Sequence, residues 1–230
     1  INLCKKIKEM NNATKIILGG PHITIEGEEF INQNKDIDYC LKGEGEYSLP
    51  KLINALNNND LENNLKSVNG LIYRNNGKIK SNTYSRIENL GEIPSIIDGI
   101  KAFNIDKIKS LTNNRISYIA SRGCPFNCIF CSSSSLWGRK YKQVPLEVAI
   151  NDVKELHSLG FKHIDFRDDF FTVRKDWTYK LANVLKELNI EWTCQTRLDS
   201  VDKELLQIMY DSGCTIIRFG VESFNNKSLK

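Results

Sequence analysis

Four short apolar runs between Ile116 and Gly220 set the terms for any fold of this 230-residue chain. Ser117 to Ala120, His163 to Phe166, Trp192 to Thr196 and Thr215 to Gly220 read as strands. The stretches between them repeat their apolar residues every three or four positions, the period of an amphipathic helix. The first carries Leu146, Ile150, Val153 and Leu156, begins after Pro145 and stops at Gly160. The second carries Leu181, Val184, Leu185 and Leu188; the third carries Leu205, Leu206 and Met209 and ends at Gly213. Repeated strand-helix units imply a parallel barrel or partial barrel, whose chemistry gathers at the carboxyl ends of the strands.

The loop after the first strand carries the most reactive residues. It reads Ser121-Arg-Gly-Cys124-Pro-Phe-Asn-Cys128-Ile-Phe-Cys131-Ser132, three cysteines within eight residues. Three thiolates on one short loop can each take one iron of a four-iron, four-sulfur cluster and leave the fourth iron open. A four-cysteine ferredoxin or a structural zinc site wants another cysteine or histidine at short spacing. His157 and Cys194, the next candidates, lie far along the chain. Structural zinc and chance clustering stay as the alternatives.

The N-terminal part alternates in the same way. Ile1 to Met10 reads as a helix with Leu3, Ile7 and Met10 on one face. A strand, Lys15 to Leu18, runs into Gly19-Gly20, and a helix is expected around Glu28 to Gln33. A second strand, Ile37 to Leu41, ends at Gly43-Glu-Gly-Glu46 before a helix through Leu52, Ile53 and Leu56. This order predicts a parallel, doubly wound sheet with ligands at the carboxyl ends of its strands, where both glycine turns fall. Asn57 to Asn64 reads as a polar linker, and Gly70 to Ile79, with Asn76-Gly77 inside it, as a β-hairpin. The expected division is a first domain over 1–58, a linker with the hairpin over 59–114, and the partial barrel over 115–230. The chain lacks an initiator methionine and stops at Lys230 where a fourth helix would begin, so it is expected to be a fragment.

No apolar run approaches the roughly 20 residues that span a bilayer, and Ile1-Asn-Leu-Cys-Lys-Lys does not read as a signal peptide. The seven cysteines are an odd number with three in one triplet, which argues against a disulfide framework and for a reducing, cytoplasmic setting. Cys4, Cys40, Cys194 and Cys214 are expected to be buried as small apolar residues. A net charge of +4, with bases and acids interleaved, does not argue for nucleic acid. The basic, aromatic segment Trp137 to Lys142 reads as a solvated loop, with contact to a phosphate-bearing substrate as the alternative.

The spacing Cys-x-x-x-Cys-x-x-Cys, Phe130 before the last cysteine, Arg122-Gly123 before the first, and Gly-Val-Glu-Ser at 220–223 together resemble the radical S-adenosylmethionine (radical SAM) enzymes. In that family the three cysteines hold a [4Fe-4S] cluster, and the open iron is chelated by the amino and carboxylate groups of SAM. An electron from the reduced cluster cleaves the sulfonium and yields a 5′-deoxyadenosyl radical. The resemblance implies a six-unit barrel, cut short here, with Cys124, Cys128 and Cys131 as the metal ligands. Phe130 would lie beside the adenine, and Asp168 and Asp169, after the second strand, would meet the SAM amino group unless they form a solvated turn. Gln195 and Arg197 end the third strand and Glu222 the fourth, where polar residues bind the ribose or the methionine part. Arg197 would either clamp the SAM carboxylate or pair with Glu222.

The order strand, Gly19-Gly20-Pro-His22, helix, strand, Gly-Glu-Gly-Glu is similar to the second half of the cobalamin-binding domain that precedes many radical SAM domains. There Gly19 and Gly20 would let the backbone lie close to the corrin or its nucleotide tail. The alternative is an ordinary turn, and His22 reads as a loop residue. The segment that supplies a histidine to cobalt in some relatives does not occur in this sequence. The resemblance implies a cobalamin-dependent enzyme performing methyl transfer, cyclisation or rearrangement on a small-molecule biosynthetic intermediate. It would draw electrons from a donor such as flavodoxin or ferredoxin. The alternatives are a methylthiotransferase acting on RNA or protein, weakened because only Cys4 and Cys40 stand in the N-terminal part, and a non-catalytic iron-sulfur or zinc-binding protein.

Overall fold

A computed structural model describes residues 1–58, 60–225 and 227, which form two compact units, Ile1–Glu88 and Asn89–Lys230. The first contains α1 (Asn2–Met10), β1 (Ile17–Leu18), α2 (Pro21–Gln33), β2 (Tyr39–Leu41), α3 (Gly45–Leu56), α4 (Leu61–Lys66), β3 (Leu71–Asn75) and β4 (Lys78–Ser81). Its sheet runs β1-β2-β3-β4. β1 and β2 are parallel, as expected, and the sheet is extended by β3 and β4, which run antiparallel along β2 and to each other.

The hairpin therefore belongs to this unit and is no tether. β3 pairs along β2 from Leu41↔Leu71 to Tyr39↔Tyr73, and its side chains alternate between two cores. Ile72 joins Cys4, Ile16, Ile23, Ile31, Ile37 and Cys40 on one side; Leu71 and Tyr73 join Leu52, Ala55, Leu65 and Val68 on the other. A strand buried in both directions cannot be a linker, and the unit runs to Glu88 where the sequence had suggested an end at 58. Asn76 (φ 49°) and Gly77 (φ 75°) make the left-handed turn that the Asn-Gly pair announces. Part of the expected linker is helical as α4, whose Leu65 is buried. In α1 the inward residues are Cys4 and Ile7, while Leu3 and Met10 are 68% and 87% exposed. α2 starts earlier than expected because Pro21 suits a first helical position, and Arg74 closes its other end by donating to the carbonyls of Ile31, Ile37 and Asn34.

The second unit contains α5 (Ile96–Lys101), α6 (Ile105–Thr112), β5 (Arg115–Tyr118), β6 (Ser121–Arg122), α7 (Ser133–Trp137), β7 (Lys142–Gln143), α8 (Leu146–Ser158), β8 (His163–Phe166), α9 (Lys175–Glu187), β9 (Glu191–Thr196), α10 (Lys203–Asp211) and β10 (Cys214–Phe219). β5, β8, β9 and β10 lie side by side, each pair parallel. The helices pack apolar faces led by Val153, Leu156, Leu181, Leu185, Leu205 and Met209, all buried. Phe166, Phe171, Trp177 and Trp192 fill the core with ring contacts of 4.7 to 5.9 Å. The two indole N–H groups donate to Val144 O and Ser212 O, as buried tryptophans require. Cys4, Cys40 and Cys194 are buried as expected; Cys214, at the start of β10, is only half-buried.

Candidate functional site

The cysteine loop is closed at its base by the two-stranded β6–β7 ladder, Ser121↔Gln143 and Arg122↔Lys142. Gly123 follows with φ 86°, and a Cβ there would sit 2.1 Å from Lys140 O, so no other residue fits. Cys128 O accepts from Cys131 N–H at 3.1 Å, turning the loop between those two cysteines. Cys131 is exposed, Cys124 and Cys128 are half-buried, and none is in a disulfide. Burial pushes the Cys124 thiol up, opposed by a hydrogen bond from the Phe126 backbone, with Asp169, Cys128 and Cys131 pushing it further. The three sulfurs thus share one electrostatic neighbourhood. Among the described residues, no three Cys, His, Asp or Glu side chains converge as a single-ion site. Three neighbouring thiols on one loop are a donor set that suits a multi-iron cluster, in which each thiolate takes one iron.

The two acids after β8 anchor the two ends of this loop. Asp168, 2% exposed, accepts from Ser121 Oγ at 2.5 Å and from Ala120 N–H at 3.3 Å, on the stretch that leads into the cysteines. Burial pushes its carboxyl up to about 7, against the lowering effect of those hydrogen bonds. Asp169 accepts from Ser133 Oγ at 2.8 Å, just past Cys131. Asp168 is buried, whereas Asp169 stays exposed in the bend that follows β8. Asp168 lies beneath the loop, with its carboxylate accepting from Ser121 and Ala120. Ser121 and Ser133 are partners that sequence reasoning missed; both flank the cysteine motif.

At the next strand ends the expected residues separate. Gln195 is exposed on β9, and its neighbour Thr196 is buried in a hydroxyl cluster with Thr172 and Ser200. Arg197 makes a two-pronged pair with Asp199, Nε to Oδ1 at 2.9 Å and Nη2 to Oδ2 at 2.5 Å. Its guanidinium carbon lies 3.9 Å from the centre of the Phe126 ring, and Nη1 is 3.8 Å from Cys128 Sγ. The expected pairing of Arg197 with Glu222 does not form; Asp199, two residues away, occupies the fork. Glu222 is exposed at φ 62°, its carboxylate folded back over Gly220. Phe130 is 64% exposed beside a fully exposed Ile129. Asp165, on β8, holds the strands together by accepting from Thr193 on β9 and pairing with Arg218 on β10 and Arg167. Burial pushes its carboxyl up, but Thr193 and the two arginines outweigh this and hold it below the usual range.

In the first unit, Gly20 has φ 97° and a Cβ added there would meet no atom within 4 Å; one on Gly19 would meet only Leu41 O at 3.6 Å. Thr24 Oγ1 ties this turn to the next one, donating to Gly20 O and accepting from Gly43 N–H, both at 2.9 Å. The Gly43 turn is filled from within: a Cβ there would lie 2.0 Å from the Tyr84 ring. Buried Glu44 accepts from Ile87 N–H at 2.8 Å and Tyr84 Oη at 3.3 Å. His22, expected in a loop, lies instead in the first turn of α2 and packs edge-on against Phe30.

Comparison with known proteins places this architecture. The profile of the Radical SAM superfamily matches residues 118–230. An uncharacterised methyltransferase of Pyrococcus horikoshii is 33% identical over 232 residues, covering 99% of this chain and 50% of that protein. The anaerobic magnesium-protoporphyrin IX monomethyl ester cyclase of Synechocystis is 27% identical over 226 residues, covering 94% of this chain and 43% of the cyclase. The chain thus spans about half the length of the curated relatives it matches. Among solved structures, the radical SAM methyltransferase TsrM from Kitasatospora setae, with cobalamin and a [4Fe-4S] cluster bound, has the same fold at a TM-score of 0.72 and 14% identity, covering 99% of this chain and 46% of TsrM. Among the described residues no helix is long and apolar enough to cross a membrane. With Cys124, Cys128 and Cys131 inside the matched segment and at the carboxyl ends of a parallel sheet, the chain belongs to the radical SAM superfamily.

Proposed function

We propose that the protein uses a [4Fe-4S] cluster on Cys124, Cys128 and Cys131 to cleave SAM reductively, with cobalamin bound by its N-terminal unit. It acts in methyl transfer, cyclisation or rearrangement of a small-molecule intermediate. The observation that carries this reading is the set of three free thiols on one loop that is anchored at both ends. When bound, the cluster supplies the electron that breaks the SAM sulfonium bond. The chain's own residues do the rest. Ser121, Asp168, Ser133 and Asp169 fix the loop; Phe130 and Ile129 offer an apolar surface for the adenine; Glu222, Gln195 and Asp169 are the polar side chains left to hold SAM. A carboxylate at Glu222 suits the two ribose hydroxyls because it accepts from both.

The open space beside Gly20 supports the cobalamin part of the reading, since a flat macrocycle can approach a backbone that carries no side chain. Names borne by relatives, a methyltransferase and a cyclase acting on a tetrapyrrole ester, support the choice of reaction class. A small electron carrier such as flavodoxin or ferredoxin and the reducing cytoplasm, which keeps thiols free, complete the proposal. Anaerobic reconstitution of the full-length protein tests it: about four irons per chain, formation of 5′-deoxyadenosine from SAM under reduction, and corrinoid absorbance after incubation with cobalamin. One stoichiometric zinc in place of iron would sink the radical SAM activity; iron without corrinoid would sink only the cobalamin part.

A further inference from the structure

We infer that Arg197 is a positioning residue for the cluster: its guanidinium donates to the Cys128 sulfur and makes the bound cluster easier to reduce, rather than clamping the SAM carboxylate. This rests on the reading that Cys128 is a cluster ligand.

The guanidinium is held on three sides. Its fork, Nε and Nη2, is filled by Asp199 at 2.9 and 2.5 Å. Its face lies 3.9 Å over Phe126, a distance at which a cation is attracted to an aromatic ring. Nη1 then points to Cys128 Sγ at 3.8 Å, within reach for the larger sulfur acceptor. Asp199 takes the Nε/Nη2 edge of the guanidinium, and Nη1, which the remaining end-on clamp on a carboxylate would need, is directed at Cys128 Sγ. Arginine has donors only and stays charged, so the Cys128 contact is that of a permanent cation with a thiolate.

The neighbouring sulfur is treated differently. Cys131 Sγ accepts from a backbone group, Ser133 N–H at 3.4 Å, which is neutral. The donor at Cys128 is a charged side chain, so it is the one that a substitution can remove. The potential of an iron-sulfur cluster depends on its net charge, on hydrogen bonds to its sulfurs and on exposure to solvent. A fixed positive charge beside one thiolate favours the form with one more electron. Asp199 serves this arrangement by aiming the guanidinium.

The test is a redox titration of the reconstituted full-length protein, followed by electron paramagnetic resonance without SAM, with iron counted in every sample. Arg197→Gln should keep the iron content and move the midpoint to more negative potential; Arg197→Lys, which keeps the charge but loses the fork, should fall between Gln and wild type. Iron retained with an unchanged midpoint in both variants overturns the inference. So does a selective loss of SAM affinity with the midpoint unchanged, which would assign Arg197 to the SAM carboxylate. Wild-type protein that holds no iron defeats the cluster reading itself, and the inference falls with it.

Discussion

The turn after β1 and the loop after β5 both follow parallel strands, yet they are built on opposite plans. Beyond β5, side chains make the structure: Asp168 and Asp169 fasten both ends of the loop, and Arg197 leans on Phe126 and Cys128. Even its glycine is enclosed, since Gly123 lies under Lys140 O. Beyond β1, what matters is the side chain that is missing. Gly20 has a similar left-handed φ but faces open space, and a Cβ on Gly19 would make only an ordinary contact with Leu41 O. A glycine whose Cβ position is filled by its own chain serves the fold. One whose Cβ position is open leaves room for something else.

The contrast can be broken by substitution, and the largest effect is expected in the loop. Replacing Cys124, Cys128 and Cys131 together by alanine should abolish iron binding on reconstitution while leaving the secondary structure, read by circular dichroism, unchanged. Next comes Gly123→Ala, which meets both left-handed strain of about 1–2 kcal/mol and overpacking of about 1–3 kcal/mol against a backbone carbonyl. Gly20→Ala meets the strain alone, about 1–2 kcal/mol. Urea unfolding of the two variants measures the difference, and equal losses would erase the distinction between the two glycines.

Asp168 gives a pH signature. Its folded carboxyl is raised above the ordinary value near 4, so its contribution to stability is full below that pH and is lost as pH rises through about 7. Burial drives the shift, and Ser121 and Ala120 restrain it. Thermal melts from pH 4 to pH 8 should show stability declining over this window, and Asp168→Asn should flatten the curve. Glu222→Gln should weaken SAM binding by some ten- to hundredfold, about 1.5–3 kcal/mol for a lost charged acceptor. Because Glu222 is exposed and apart from Arg197, its melting temperature should not move; titration calorimetry beside a melt separates a binding role from a structural one. Gly19→Leu should also change stability little, within about 0.5 kcal/mol. Corrinoid binding by that variant should nevertheless fall, and unchanged corrinoid absorbance would remove Gly19 from the site.

Much of this was legible in the sequence where local chemistry is strong. The spacing of the cysteines named the loop, and β8 spans His163–Phe166 as its apolar run predicts. Pro145 and Gly160 bracket α8 as expected. What escaped depends on partners distant in the chain. The hairpin could be read from Asn76-Gly77, but nothing local says that β3 pairs with β2. The face of α1 was misassigned because Cys4, a small residue, packs inward where Leu3 does not. Arg197 found Asp199, two positions on, before Glu222, since a short local ion pair forms without ordering a second loop. Asp168 was placed beside the right loop, but no pattern reveals whether a carboxylate lies on a surface or beneath it.

The two-residue ladder between β6 and β7 has a consequence for how the site is assembled. By pinning Ser121 to Gln143 and Arg122 to Lys142, it ties off residues 123–141 as a closed loop before any iron arrives. Closing the loop reduces the conformational freedom that three thiols lose on gathering, so less ordering remains for iron and sulfide to impose during anaerobic assembly. The same closure favours thiol-disulfide chemistry among Cys124, Cys128 and Cys131 once oxygen is admitted, so the loop that builds the site is also the first part of the protein that air should disable.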